Sequence, residues 1–340
     1  MERRHRMQDH RDTSITRRGF IATGAGLALG AAGTAHGQGQ AYPARAIRVI
    51  VPFPAGAGAD SNARLVSQQL AEKLGQPVVV DNRPGANGLI GTEAVAKAAP
   101  DGYTLLFVDR GALGINPSLY KKLPYDPLKD FSYVGIAVWG PYVLVAGSKQ
   151  SAKTIQELVA AARKQPGHLT YASFGNGSMT QLGTESLCSR LGMQLTHVPY
   201  KGGAPALTAA MAGEVDMALV TIGPALGAIR EGRVRPLLVG GGHRFPLLPD
   251  VPAVSEIGGD ENTIPNTYFG FALPAGTPAA IRDRLSGTIR QVLADAAIRA
   301  KLADSGFQPA QGTPEEMRST VERDITAFGR LARELNIQPE

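Results

Sequence analysis

Residues 46–82 read AIRVIVPFPAGAGADSNARLVSQQLAEKLGQPVVVDN: an apolar run, a Pro/Gly turn, an amphipathic stretch and a second apolar run. "AIRVIVPF" has the continuous hydrophobicity of a buried strand. "DSNARLVSQQLAEKLG" spaces its apolar residues as a helix does, with Asp60 as its expected N-cap. "PVVVDN" is the next strand, "GLIGTEAVAKAA" the next helix, "PDG" at 100–102 a turn and "YTLLFVD" a third strand. A β-α-β-α-β order of this kind predicts an α/β fold with a parallel sheet and right-handed crossovers.

The middle of the chain repeats the theme. "YVLVAGS" is a strand, and Thr154 with Glu157 forms a capping box that opens "IQELVAAARKQ". "LTYAS" leads through the turn "FGNG" to a second capping box, Ser178 with Gln181, and a helix reaching Leu191. "LTHVPY", "VDMALV" and "VRPLLVG" follow as strands, and "YFGFAL" is the last one. Thr277-Pro278 and Thr313-Pro314 place proline at the first position of the two closing helices. No low-complexity linker divides the two blocks, so two domains joined by crossing strands are expected.

The first residues differ from the rest. Arginines and a few acids precede Gly19, and "FIATGAGLALGAAGTAHGQGQA" then carries no charge. This is the pattern of an export signal over residues 1–37, with cleavage expected between 37 and 41. "TRRGF" resembles the twin-arginine export motif. The uncharged span holds only Phe20, Ile21, Leu27 and Leu29 as strongly apolar residues, too few for a permanent membrane helix.

Charge points the same way once the signal is set aside. The signal carries half of the formal net charge of +6, so the mature chain is only mildly basic. It has no Lys/Arg run interleaved with aromatics, and no nucleic-acid partner is expected. The single cysteine, Cys188, permits no internal disulfide and reads as a small core residue of a helix.

A glycine-rich turn after a strand raises the question of a nucleotide. The dinucleotide fingerprint needs a third glycine where Ser61 stands, and no P-loop lysine motif occurs. "PFPAGAGAD" and "NRPGANGLIG" follow adjacent strands, however, and both can offer backbone N–H groups to an anion. Two such loops at the carboxyl ends of adjacent parallel strands form a crevice suited to a ligand carboxylate.

These stretches, with "AAPDGYTLL", "INPSLYKKLPYDPLKDF", "YASFGNGS", "HVPYKGGAPAL", "LPDVPAVSE" and "ALPAGTP", are similar to the solute-binding receptors of tripartite tricarboxylate transporters, the TctC or Bug family. The resemblance runs from residue 42 to the C-terminus. It implies a two-lobed periplasmic binding protein, type II-like, that closes over a small carboxylated solute. Lobe 1 would combine residues 42–145 with 245–340, and lobe 2 would be residues 146–244. It implies ligand contacts from Phe53, Pro54, Ala55, Gly56 and Asp60 on the first loop. Arg83, Pro84, Gly85, Ala86, Asn87 and Gly88 would contribute on the second. In lobe 2 it points to Ser173, Asn176, Gly177 and Ser178, to the turn Tyr200, Lys201 and Gly202, and to Thr221. It also implies a monomer that delivers its ligand to membrane permease subunits or, alternatively, to a sensor kinase.

Several residues carry more than one reading. Ser178 is a helix cap or a ligand donor, Asp60 an N-cap or an acceptor for a ligand amine or water, and Lys201 a counter-charge or a solvated surface lysine. Asp109-Arg110 replaces the small or hydroxyl residues common in the family, and Leu89, Gln181 and Thr221 also depart from common choices. Arg110 would then read a second acidic group of the ligand, or pair internally with Asp109 or a neighbour.

No enzyme constellation stands out. His168, His197 and His243 are isolated and lack metal-ligand spacing, and no G-x-S-x-G elbow occurs. No cofactor or metal is expected. A twin-arginine-exported enzyme is the remaining alternative, with Ser173 lacking an adjacent base in sequence.

Overall fold

The computed structural model describes residues 42–260 and 263–334; the expected export signal over 1–37 and its expected cleavage at 37–41 lie outside the described residues. The first half contains β1 (Ile47–Val51), α1 (Gly58–Leu74), β2 (Val78–Asn82), α2 (Leu89–Ala96), β3 (Thr104–Asp109), α3 (Asn116–Leu119), β4 (Phe131–Gly140) and β5 (Tyr142–Ala146). Next come α4 (Ile155–Lys164), β6 (Thr170–Ser173), α5 (Met179–Leu191), β7 (Thr196–Pro199), α6 (Gly203–Ala212), β8 (Met217–Thr221), α7 (Ile222–Arg230) and β9 (Arg235–Val239). β10 (Thr267–Pro274), α8 (Ala279–Ala294), α9 (Ala296–Asp304), β11 (Gln308–Pro309) and α10 (Pro314–Glu334) complete the chain.

Two sheets form, ordered β11-β4-β10-β3-β1-β2 and β7-β6-β8-β5-β9. Among the strands named, parallel pairing is confined to β2-β1-β3 and β7-β6-β8, where strand and helix alternate in sequence, with one isolated parallel bridge between Val239 and Ala253. The remaining pairs are antiparallel. The parallel sheet expected from the alternation is thus only one side of each sheet, ending at edge strand β2 in the first and β7 in the second. β4 breaks the alternation: it passes through Pro141 into β5 without a helix and so leaves one sheet for the other. Each sheet takes its crossing strand inside, β10 between β3 and β4, and β5 between β8 and β9.

β5 shows why such a strand reads as unbroken hydrophobicity. Its side chains alternate between faces, Val143 and Val145 packing with α6 and α7 residues, Tyr142, Leu144 and Ala146 with α4 and α5 residues. Both faces are covered, so all five residues are buried.

Sheet and core membership relocate the lobe limits. Tyr142 already belongs to the second sheet. Phe245, Leu248 and Val251 pack in the second lobe's core, and Gly241 N–H donates to Ile264 O at 2.9 Å. We therefore propose crossings at Pro141 and next to Asn266, instead of at 145 and 245. Apolar side chains such as Phe245, Val254 and Ile264, and no break in composition, place residues 245–260 and 263–266 on lobe 2 in this proposal.

The capping boxes at Thr154 and Ser178 form, each hydroxyl accepting from the backbone N–H three residues on. Asp60 differs: α1 begins earlier, with Ala57 at its N-cap, and Asp60 lies in the first turn. Pro278 is likewise the N-cap of α8, with extended backbone, and not its first helical residue. Pro314 does open α10.

Candidate functional site: a cleft lined by helix starts

Every loop singled out above lies at the carboxyl end of a strand and at the start of the following helix. α1 starts at Ala57, α2 at Gly88, α6 at Gly202 and α7 at Thr221, and none of these has a side-chain cap. Away from these loops, α4, α9 and α10 are capped by Thr154, Asp295 and Thr313. α3 and α8 are exceptions, both without a side-chain cap elsewhere in lobe 1. An uncapped start leaves its first N–H groups for solvent or an anion, which the helix dipole favours, except where a backbone carbonyl takes one, as Ala86 O takes Leu89 N–H at α2 and Pro141 O takes Ile222 N–H at α7. In α1 the first intrahelical donor is Ser61 N–H to Ala57 O, which leaves the N–H groups of residues 58–60 as open donors.

The two lobes come together here. A methyl group built on Gly58 would lie 3.1 Å from Phe307 Cζ, and one on Gly223 of α7 would lie 3.2 Å from Phe307 Cε2. One on Gly175 would lie 3.4 Å from Tyr200 O and 3.9 Å from Asn87 Oδ1. The first and second loops of lobe 1 therefore face the β6–α5, β7–α6 and β8–α7 loops of lobe 2. Phe53 is half-buried with its ring centroid 6.2 Å from that of Phe269, while Pro54, Ala55 and Gly56 are exposed.

Asp60 holds the first loop in shape. Its carboxylate is buried and accepts from Gly56 N–H at 2.9 Å, Arg64 Nε at 3.0 Å and Asn82 Nδ2 at 2.9 Å. Burial alone would raise its pKa, but the hydrogen bonds from Arg64, Gly56 and Asn82 outweigh it and hold the carboxyl below its usual range. Asn82 also donates to Phe53 O at 3.1 Å, so the end of β2 splints the loop that follows β1. Asp60 is therefore committed to the fold. Arg64 reaches Asp60 from the next turn of α1, at i+4, whereas Asn82 carries no motif and only the β1–β2 register, Val51 opposite Asn82, brings it there.

On the second loop Arg83 pairs with Asp81 at 3.1 Å, and Pro84, Gly85 and Ala86 are exposed. Ala86 and Asn87 both have positive φ, 45° and 50°, between Gly85 and Gly88, also positive. Asn87 Nδ2 donates to Asn176 O at 3.0 Å, across from lobe 1 to lobe 2. In lobe 2, Asn176 is exposed, Gly177 N–H donates to Gln181 Oε1 at 2.6 Å, and Ser178 Oγ is 3.0 Å from Thr180 Oγ1. Ser178 is thus a cap, and Gln181 completes that cap from the helix side. Tyr200 and Gly202 are half-buried, Lys201 is exposed, and Thr221 is half-buried at the start of α7.

Ser173 lies beneath its loop. It is fully buried, its Oγ 2.6 Å from His197 Nε2, and it accepts from Gly175 N–H at 3.1 Å. His197 stacks on Tyr171, whose hydroxyl donates to Glu185. Burial lowers the His197 pKa, with Glu185 opposing. The pair has the elements of a nucleophile and a base, but the hydroxyl has no exposed surface and is bonded to its own loop at Gly175.

Arg110 is placed differently from its ligand-reading role. Its Nε is 2.9 Å from Asp324 Oδ2 of α10, and it donates to Asn266 O. Both side chains are buried, and the rings of Trp139, Tyr268 and Phe328 surround the guanidinium. The internal pairing is the one formed, with a partner 214 residues away and not Asp109. Asp109 instead accepts from Ala112 N–H at 3.0 Å.

Burial pushes the Asp109 carboxyl up to about 6, with the Ala112 and Gly111 N–H groups opposing. A folded-state pKa raised above the ordinary 3.8 means that stability falls as pH rises through that window. Asp109→Asn keeps the acceptor for Ala112 N–H and carries no charge. The variant should melt higher than the parent at pH 8 and equal to it at pH 4; equal melting at both would refute a strained carboxylate.

Comparisons with known proteins follow this geometry. The chain matches the profile of the Tripartite tricarboxylate transporter family receptor over residues 62–337. It is 38% identical to a UPF0065 protein of Bordetella bronchiseptica, covering 89% of each chain. It is similar in structure to R. palustris Rpa4515 with adipate, at a TM-score of 0.82 and 32% identity, covering 88% of this chain and 100% of that one. MatC from Rhodopseudomonas palustris with bound malate is similar at a TM-score of 0.78 and 32% identity, covering 85% and 99%.

Proposed function

The chain belongs to the tripartite tricarboxylate transporter receptor family, and from that premise we propose that it captures a small carboxylated solute in the periplasm, between its two lobes. Delivery to the transporter's membrane subunits and export by the cleaved signal over residues 1–37 belong to the same reading. The observation that carries it is the set of uncapped helix starts, α1, α2, α6 and α7, on loops of both lobes that face one another. Backbone N–H groups at such starts suit a carboxylate without needing a basic side chain. Three local arginines are engaged within the fold, Arg64 by Asp60, Arg83 by Asp81 and Arg110 by Asp324, and exposed Lys201 on the turn that opens α6 adds a positive charge. Related proteins hold adipate and malate, both carboxylates. The buried Ser173 supports reading the chain as a receptor and not as an enzyme.

The test is thermal melting of the chain from Gln38 against mono-, di-, tri- and aromatic carboxylates, amino acids and nucleotides. Ligand at a hundred times its Kd adds about 2.7 kcal/mol of stability. We expect a rise with a subset of carboxylates. A rise with nucleotides alone would overturn the reading.

A further inference from the structure

We propose that Asn87 is a latch across the cleft: its side-chain amide, preset by lobe 1, bonds the lobe 2 ligand loop at Asn176 O and favours the closed arrangement before any solute arrives. The 3.0 Å bond from Asn87 Nδ2 to Asn176 O joins the second loop of lobe 1 to the loop that opens α5. Two features show that Asn87 is held for this contact. Its backbone sits in the left-handed region, φ 50° and ψ 40°, directly after Ala86 at φ 45°. Consecutive non-glycine residues there persist only where their surroundings enforce them. Asparagine tolerates the conformation better than other side-chain-bearing residues.

The enforcement is visible. Asn116, itself buried, donates from Nδ2 to Asn87 O at 3.2 Å and to Tyr125 OH at 3.1 Å. Tyr125 OH in turn donates to Ala112 O at 2.6 Å. The segment after β3 thus fixes the Asn87 carbonyl and, through it, the direction of the amide. The same segment delivers a second contact to the same lobe 2 loop. Leu119, at the end of α3, packs against Gly177 so closely that a methyl group built there would lie 2.3 Å from Leu119 Cδ1. Ile115 and Leu119 belong to the second lobe's apolar core although they stand in lobe 1. A polar and an apolar contact from one rigid support therefore meet residues 176 and 177 together.

The inference rests on the receptor reading for what the closed cleft holds, but its test uses no solute. Asn87→Gly keeps the left-handed backbone at no steric cost and removes only the amide. Asn87→Asp keeps the shape and presents an acceptor to a carbonyl. Spin labels on Lys73→Cys of α1 and Lys164→Cys of α4 report the interlobe distance. Cys188 is buried, its thiol pushed up to about 12 by burial, and stays unlabelled. In the ligand-free parent the pulsed-EPR distance distribution should contain a short-distance, closed population. Either variant should lower its closed-to-open ratio by about 3- to 10-fold, as expected for one net hydrogen bond. Melting curves identify a variant that fails to fold, and the other then decides. Unchanged distributions in the folded variants would overturn the latch, as would a parent with no closed population. A missing response to every carboxylate would bear instead on the receptor reading.

Discussion

Ala57→Asp is expected to make the protein more stable and nearly unable to bind its solute. Ala57 occupies the N-cap of α1 with φ −70° and ψ 160°, the extended geometry an aspartate cap adopts without strain. A carboxylate there would accept from the open N–H groups of the first turn. Such a cap is worth about 0.5–2 kcal/mol, or about 1–4 °C in Tm for a chain of this size. The same charge would occupy the anion cradle and repel an incoming carboxylate. Like-charge juxtaposition costs several kcal/mol, so the affinity should fall by about 100-fold or more. Ala57→Ser should give a smaller gain in stability and a much smaller loss of affinity, because it adds no charge. If Ala57→Asp bound its carboxylate as the parent does, the start of α1 would not be part of the site.

The second large effect concerns the Arg110–Asp324 pair, whose loss should cost stability before it touches recognition. Removing one partner of a buried pair leaves an uncompensated charge and costs about 3–5 kcal/mol. The two truncations are not equivalent. Asp324→Ala strands a guanidinium that cannot lose its proton, and Tm should fall by about 6–10 °C. Arg110→Ala leaves a carboxyl that burial already raises above its usual pKa, so it can take up a proton instead. That variant should be the milder one and should recover as pH falls toward the ordinary carboxylate range, since its raised folded-state pKa loses stability as pH rises. Replacing both by apolar residues of similar size should restore most of the loss. Chemical denaturation at pH 5 and pH 8 checks all of this. A parent-like Asp324→Ala variant with lost ligand affinity would return Arg110 to the ligand.

The contrast between these two sites explains what the sequence could reveal. The loops after β1, β2 and β6 are local features: glycine, proline and a hydroxyl placed where a strand turns into a helix. Their short spacings marked the loops at 53–60 and 83–88 as able to offer N–H groups to an anion and Ser178 as a helix cap, whereas the ligand roles of individual residues, 173–178 included, came from the family resemblance. The strand–helix alternation was equally legible, because each unit is a continuous apolar run followed by helical spacing.

What was hidden depends on distant partners. Arg110 looks like a cleft arginine until α10 brings Asp324 to it. Ser173 looks like a ligand donor until β6 and β7 pair and set His197 against it, Tyr171 opposite His197 in register. Asn82 ends a strand without any motif, yet parallel pairing makes it the splint of the first loop. The lobe limits we propose rest on the same kind of contact. β5 pairs with β8, and Phe245, Leu248 and Val251 pack in the second core, contacts that leave no mark on local composition.

The most direct test of the central claim is a TROSY amide spectrum of the chain from Gln38, titrated with whichever carboxylate raises its melting temperature most. Backbone capture predicts that the N–H resonances of residues 58–60, of residues 85–88 and at the starts of α6 and α7 move on binding, while the Arg110 Nε–H signal stays in place. Saturable binding that shifts Arg110 and leaves those amides unmoved would contradict it.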